Sequence, residues 1–208
     1  MIQLMKQFIL LVLFSVSLLG CKDTRPKDGK FHIVTTTSMI TDLVQNIGGE
    51  KVAVQGLMGA GVDPHLYKAS EGDVSKLSNA NMIIYSGLHL EGKLVEVFEK
   101  MKRQKIKTIA VSDALDKKEL IGSTLFASNY DPHIWFDVKN WEQITIYVEK
   151  QLSEALPEHK EYFKANAANK KEKLKVLKQE IEAEIATLPE DKRRLVTAHD
   201  AFNYFGKA

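Results

Sequence analysis

The sequence predicts an α/β fold built on a parallel sheet, and two observations carry that prediction. From Phe31 to Asp113, short β-branched runs alternate with amphipathic stretches. From Pro157 to Leu188 follows a segment without glycine, rich in Lys, Glu and Ala, with the apolar spacing of one long helix. Strands and helices in alternation imply parallel pairing, with helices on the faces of the sheet.

Taken in order, FHIVTTT (Phe31 to Thr37) is a buried strand, Ser38 is placed to cap the helix MITDLVQNIG, and KVAVQGLM from Lys51 is a second strand. SEGDVSKLSNA opens with Ser70 and Asp73 at capping-box spacing. MIIYSG (Met82 to Gly87) is a third strand, EGKLVEVFEKMKR a further helix and KTIAVSD (Lys107 to Asp113) a fourth strand. GLMGAG, at Gly56 to Gly61, lacks the Lys-Ser/Thr end of a phosphate loop and reads as a flexible turn.

In the long segment, Phe163, Ala167, Leu174, Leu177, Ile181, Ile185 and Leu188 fall along one stripe. Roughly thirty residues of helix span about 45 Å, more than one domain of this size needs. The apolar positions are too irregular for heptads, so the helix reads as a brace between two lobes of a monomer rather than as a dimerisation arm. After Pro189, LVTA reads as a new strand and HDAFNYF as the start of a helix. One strand and one helical turn cannot bury a second core, so residues 189–208 read as the start of a second lobe, truncated here.

The N-terminus has its own logic. Lys6, followed by the apolar run Phe8 to Leu19, makes residues 1–20 a secretory signal, too short for a comfortable bilayer span. LLGC resembles the lipobox of bacterial lipoproteins, with the chain's one cysteine, Cys21, at the position to be lipidated. Residues 21–30 are then a polar tether, 31–156 an N-terminal lobe and 157–188 the linking helix. The protein is expected to be exported and lipid-anchored to the cell membrane, facing the periplasm or the outer surface. A formal net charge of +2 gives no support to a nucleic-acid partner.

Among six histidines, the tripeptide Asp-Pro-His occurs twice, at Asp63 to His65 and Asp131 to His133. Ligands of such sheets collect at the carboxyl ends of strands. His65 follows the second strand, His133 the long loop after the fourth, and His199 the run LVTA. Three imidazoles so placed suit a divalent metal such as zinc, with Asp63, Asp131 and Asp200 as candidates to orient a ring or shape a loop. Trp135 either walls this site or belongs to the core. His32 reads as packing, His89 as a loop residue and His159 as solvated.

The segments from TTTSMITDLVQNIGGEKVAVQGLMGAGVDPHLYKASEGDVSKLSNANMIIYSGLHLEGKL through DPHIWFDV and the long helix to VTAHDAFNYFGKA resemble the metal-binding solute-binding lipoproteins of bacterial ABC importers for manganese and zinc, called cluster A-I or cluster 9. The resemblance runs from about Phe31 to the last residue. It implies two Rossmann-like α/β lobes joined by a rigid backbone helix, a metal in the cleft between them, and a membrane permease as partner. Carried over, the ligands are His65 and His133 from the first lobe and His199 from the second. The family's fourth ligand, an acidic residue late in the second lobe, lies beyond this chain.

Two rival functions are a zinc-dependent hydrolase and a surface adhesin. Three histidines with an open fourth position can be catalytic, but no His-Glu-x-x-His pair, Gly-x-Ser-x-Gly elbow or evident general base accompanies them. An adhesin role explains no convergence of ligands. Imidazole ligation favours zinc, whereas DALDKKELIGSTLFASNY has none of the histidines that zinc-specialised members often carry before the second ligand. Zinc or manganese is therefore the expected cargo, with iron as a further possibility.

Overall fold

The computed structural model describes residues 28–208. The signal segment, Cys21 and the first part of the tether lie outside the described residues. Four strands, β1 (Phe31–Thr35), β2 (Val52–Gly56), β3 (Met82–Tyr85) and β4 (Lys107–Ala110), form one sheet in the order β2-β1-β3-β4, every neighbouring pair parallel. Helices α1 (Ser38–Gly48), α2 (Glu71–Ser78) and α3 (Val95–Arg103) are the crossovers, followed by α4 (Val138–Ala155), α5 (Lys160–Ala186) and the short α6 (Asn203–Lys207).

Because successive strand residues point to opposite faces, the sheet has two cores. Ile33, Met82 and Ile84 pack with Leu43, Ile144, Val148 and Phe163 on the side of α1, α4 and α5. Val34 and Ile83 pack with Leu77, Phe98 and Met101 on the side of α2 and α3. Ile33, Ile83 and Ile84 are fully buried, and each such side chain contributes about 1.5–3 kcal/mol on leaving water. This sandwich holds the carboxyl edge of the sheet rigid, and the histidine-bearing loops leave from that edge.

Several expected elements are adjusted. Ser38 is the first residue of α1 rather than its cap; Thr37 holds the extended cap position, with no capping hydrogen bond from its side chain. The helix expected from Glu91 opens with a 3₁₀ turn, Gly92–Leu94, and the long helix likewise with Pro157–His159, where proline suits a first turn. Of the apolar stripe, Phe163, Ala167 and Leu174 on α5 are buried and Ile181 and Ile185 half-buried, while Leu177, and Leu188 beyond the end of α5, are nearly half exposed. The first part of α5 is fixed to the lobe by Asn166 Nδ2 donating to the Ile47 carbonyl at 3.0 Å and by Lys170 Nζ against Asp42 Oδ2 at 2.8 Å.

LVTA is not a strand. Leu195 and Val196 are 62% and 93% exposed, and among the described residues no strand pairs with them. A β-branched run has strand character only where a ladder partner accepts its backbone. The helix expected over HDAFNYF begins only at Asn203. α4 was not anticipated, although Asp137 caps it through Lys139 N (2.8 Å) and Trp141, Ile144, Val148 and Leu152 recur at helical spacing on its buried face. Among the described residues, no helix is long and apolar enough to cross a membrane.

Candidate metal centre

In the order β2-β1-β3-β4 the winding direction changes between β1 and β3, and the loops of the outermost strands, β2 and β4, reach over the carboxyl edge from either side. The loop after β2 carries His65. Its Asp63 Oδ1 accepts the His65 backbone N–H at 2.9 Å, an Asx turn with Pro64 inside it. The second Asp-Pro-His makes the same turn, with Asp131 Oδ1 accepting the His133 N–H at 2.9 Å. The loop before it is ordered by an isolated antiparallel bridge, Gly122 to Tyr130, and by Asp131 N–H donating to the Ile121 carbonyl at 2.9 Å.

The three sequence-selected histidines meet. His65 Nε2 is 3.2 Å and His199 Nε2 3.0 Å from His133 Nε2, and one ligand atom from each residue lies within 4.8 Å of the others. A tetrahedral ion at about 2.0–2.1 Å from each nitrogen would hold the nitrogens about 3.3–3.4 Å apart, close to the observed spacing. His133 is buried, His65 half-buried and His199 exposed, so the group opens to solvent on one side.

Asp131 differs from Asp63 in one respect. Its Oδ1 also meets His133 Nδ1 at 2.7 Å, and the carboxylate is wholly buried. Burial raises its pKa, but the hydrogen bonds from the His133 ring, the His133 backbone and Asn203 outweigh that and hold it below the usual carboxylate range. An ionised Asp131 assigns the proton to Nδ1 of His133 and leaves the Nε2 lone pair facing the other two rings. At His65, burial first, and then the nearby His133 and His199, lower the imidazole's pKa and so favour the neutral form that ligates.

The remaining candidates separate. Asp63 is exposed and shapes the turn only; Asp200 is exposed, with no hydrogen bond to any described residue. Trp135 stands edge-on to the His133 ring, centroids 5.2 Å apart, and walls the site. Phe126 was not foreseen: it stacks on His65 at 5.9 Å and meets His133 edge-on at 5.6 Å. An aromatic in a long loop carries no sequence signal of its partner. His89 is exposed and outside the cluster. His32, expected to pack, instead pairs its Nε2 with Asp28 Oδ1 at 2.7 Å. His159 is half-buried, its ring 6.1 Å from that of Phe163.

A family described as ZnuA, zinc-uptake complex component A periplasmic, matches residues 33–208. The manganese-binding lipoprotein MntA of Bacillus subtilis (strain 168) is 47% identical over 199 residues, covering 94% of this chain and 64% of that protein. The zinc-binding protein TroA of Treponema pallidum (strain Nichols) is 42% identical over 189 residues, covering 91% and 60%. The solved structure of the Treponema pallidum periplasmic zinc-binding protein TroA superposes with a TM-score of 0.82 at 42% identity, covering 86% of this chain and 64% of that one. The chain thus spans less than two thirds of the length of these relatives. The family match over residues 33–208 and relatives 47% and 42% identical place the chain in the ZnuA family, among whose named relatives are a manganese-binding lipoprotein and metal ABC transporter substrate-binding lipoproteins.

Proposed function

We propose that this protein captures a divalent transition metal, zinc or manganese, outside the cytoplasm and delivers it to the membrane permease of an ABC importer. His65, His133 and His199 are the ligands on this reading, Asp131 orients the His133 ring, and Cys21 carries the lipid that keeps the protein at the membrane as a monomer. The observation that carries the reading is the convergence of three imidazoles, with the Nε2 atoms of His65 and His199 each at about the edge length of a metal tetrahedron from His133 Nε2. Imidazole nitrogen suits zinc, while metal availability decides whether manganese is the working cargo. Residues 31–156 serve as the lobe that presents two ligands, and 157–188 as the brace to the third. The site binds and releases its cargo without turnover.

Isothermal titration with zinc and with manganese tests this. His65→Ala and His133→Ala should each weaken binding by more than the 10–100-fold typical of orienting partners alone; the metal-free melting temperature should be unchanged in His65→Ala and lowered in His133→Ala, which takes a partner from the buried Asp131 carboxylate. His89→Ala should titrate like the wild type. Wild-type stoichiometry and affinity in His133→Ala would sink the reading, and zinc-dependent ester or peptide turnover would replace it with hydrolysis.

A further inference from the structure

Asp131 has more partners than a ring-orienting carboxylate needs. Oδ1 takes both the backbone N–H and Nδ1 of His133, and Oδ2 accepts from Asn203 Nδ2 at 3.0 Å. Asn203 lies four residues beyond His199, at the start of α6. Its neighbour Tyr204 is 1% exposed, and its hydroxyl accepts from Ile121 N–H at 3.1 Å and donates to the Asp131 carbonyl at 3.2 Å. Tyr204 therefore anchors α6 on the very turn that carries His133, and Asn203 reaches from α6 to the carboxylate that aims the ring.

We propose that Asn203 is a positioning residue that couples two metal ligands: its amide fixes the rotation of Asp131, so His133 is aimed fully only when the segment bearing His199 is docked. The inference rests on the metal-binding reading above. Its physical basis is the asymmetry of buried hydrogen bonding. Oδ2 belongs to an anion with no exposed surface, and an acceptor left unpaired there is costly. Without Asn203 the carboxylate relieves that cost by turning from the ring or by admitting water, and either change loosens the Nδ1 contact that fixes the tautomer of His133. With Asn203 in place, the docking of one ligand's segment prepares the other ligand.

The test uses the full chain as Asn203→Ala and Asn203→Asp, with zinc dissociation followed by chelator competition and the His133 ring nitrogens by ¹⁵N NMR in the metal-free protein. Asn203 is itself exposed and belongs to neither core, so its removal costs the one hydrogen bond to Asp131 and no core packing. Asn203→Ala should speed zinc release about tenfold, at the low end for orienting partners, and shift the His133 Nδ1 signal, with a melting temperature lowered by no more than the loss of one hydrogen bond accounts for. Asn203→Asp, which sets a like charge against Oδ2, should do more. Wild-type release rates and wild-type His133 signals in both variants overturn the inference. So does weakened binding with a lowered melting temperature and unmoved His133 nitrogens, which would make Asn203 a folding contact. His133→Ala separates the two levels: tight zinc binding there refutes the ligand assignment, whereas lost binding there with silent Asn203 variants refutes only the coupling.

Discussion

At Asp63 and at Asp131 a carboxylate accepts the amide of the histidine two residues on, at 2.9 Å in both places. The repeated tripeptide is thus one local device, a proline-stiffened Asx turn, used twice to present an imidazole. The copies part where tertiary surroundings enter. Asp63 is exposed and holds only the turn, whereas Asp131 is buried and also holds the ring. Asparagine makes the same turn as aspartate, so Asp63→Asn should keep zinc affinity within about twofold. Asp131→Asn removes the charge and sets an amide N–H against the Asn203 amide; it should weaken zinc binding about 10–100-fold. Competition with a chromophoric chelator reads both. Equal losses would mean that the carboxylates act alike and that ring orientation matters little. The pair of tripeptides was legible in the sequence because a turn is written in adjacent residues. Which copy also orients its ring was not, since that depends on burial and on Asn203, far along the chain.

Among the elements, α2 shows how local chemistry supports the site. Ser70 Oγ accepts from Asp73 N–H at 3.2 Å, and Asp73 Oδ2 accepts from Ser70 N–H at 3.0 Å, the capping box expected from the spacing. Asp73 Oδ2 also accepts the Tyr67 hydroxyl at 2.8 Å, which ties the helix to a point two residues past His65. Burial, and then the bond to Asp73, push the Tyr67 phenol up to about 12. Burial also raises Asp73, but donors from Ser70, Tyr67 and Lys76 prevail and hold it well below its ordinary value of 3.8. A carboxyl depressed in the folded state stabilises fully above the unfolded pKa, and this contribution is lost as pH falls toward the folded value. Ser70→Ala should cost about 0.5–2 kcal/mol in urea unfolding. The stability gap between wild type and Asp73→Asn should be constant from neutrality to about pH 4 and shrink below it. A gap that persisted undiminished at about pH 2.5 would show that Asp73 acts by shape rather than by charge. Periodicity made β1 to β4, α1 and α3 readable, and the capping box did so for α2. The run Leu195 to Ala198 misled because strand formation needs a partner that local sequence does not name, and the stretch of α4, after His133, was assigned no element although its apolar residues recur at helical spacing.

At the scale of the molecule, the three proposed ligands differ in how firmly they are held. His133 sits in a buried turn on a four-stranded sheet, and His65 in a loop braced through Tyr67. His199 follows an exposed stretch, 189–198, with Leu195 and Val196 largely in solvent, and is fixed near the site through Asn203 and Tyr204. The chain spans 64% of the length of MntA. On the two-lobe reading, further sequence would supply a sheet for the run before His199 and an acidic fourth ligand. Ordering one residue's backbone costs about 1–2 kcal/mol, and about 1.4 kcal/mol is tenfold in affinity. Prolonging this chain with the corresponding C-terminal part of MntA should therefore tighten zinc binding at least about tenfold from ordering alone, and further if a carboxylate joins the ion. Titration calorimetry of the two proteins at one pH and ionic strength decides it. Equal affinity would mean that His65, His133 and His199 form a complete site on the first lobe, and the cleft between two lobes would have to be abandoned as the place where the metal is held.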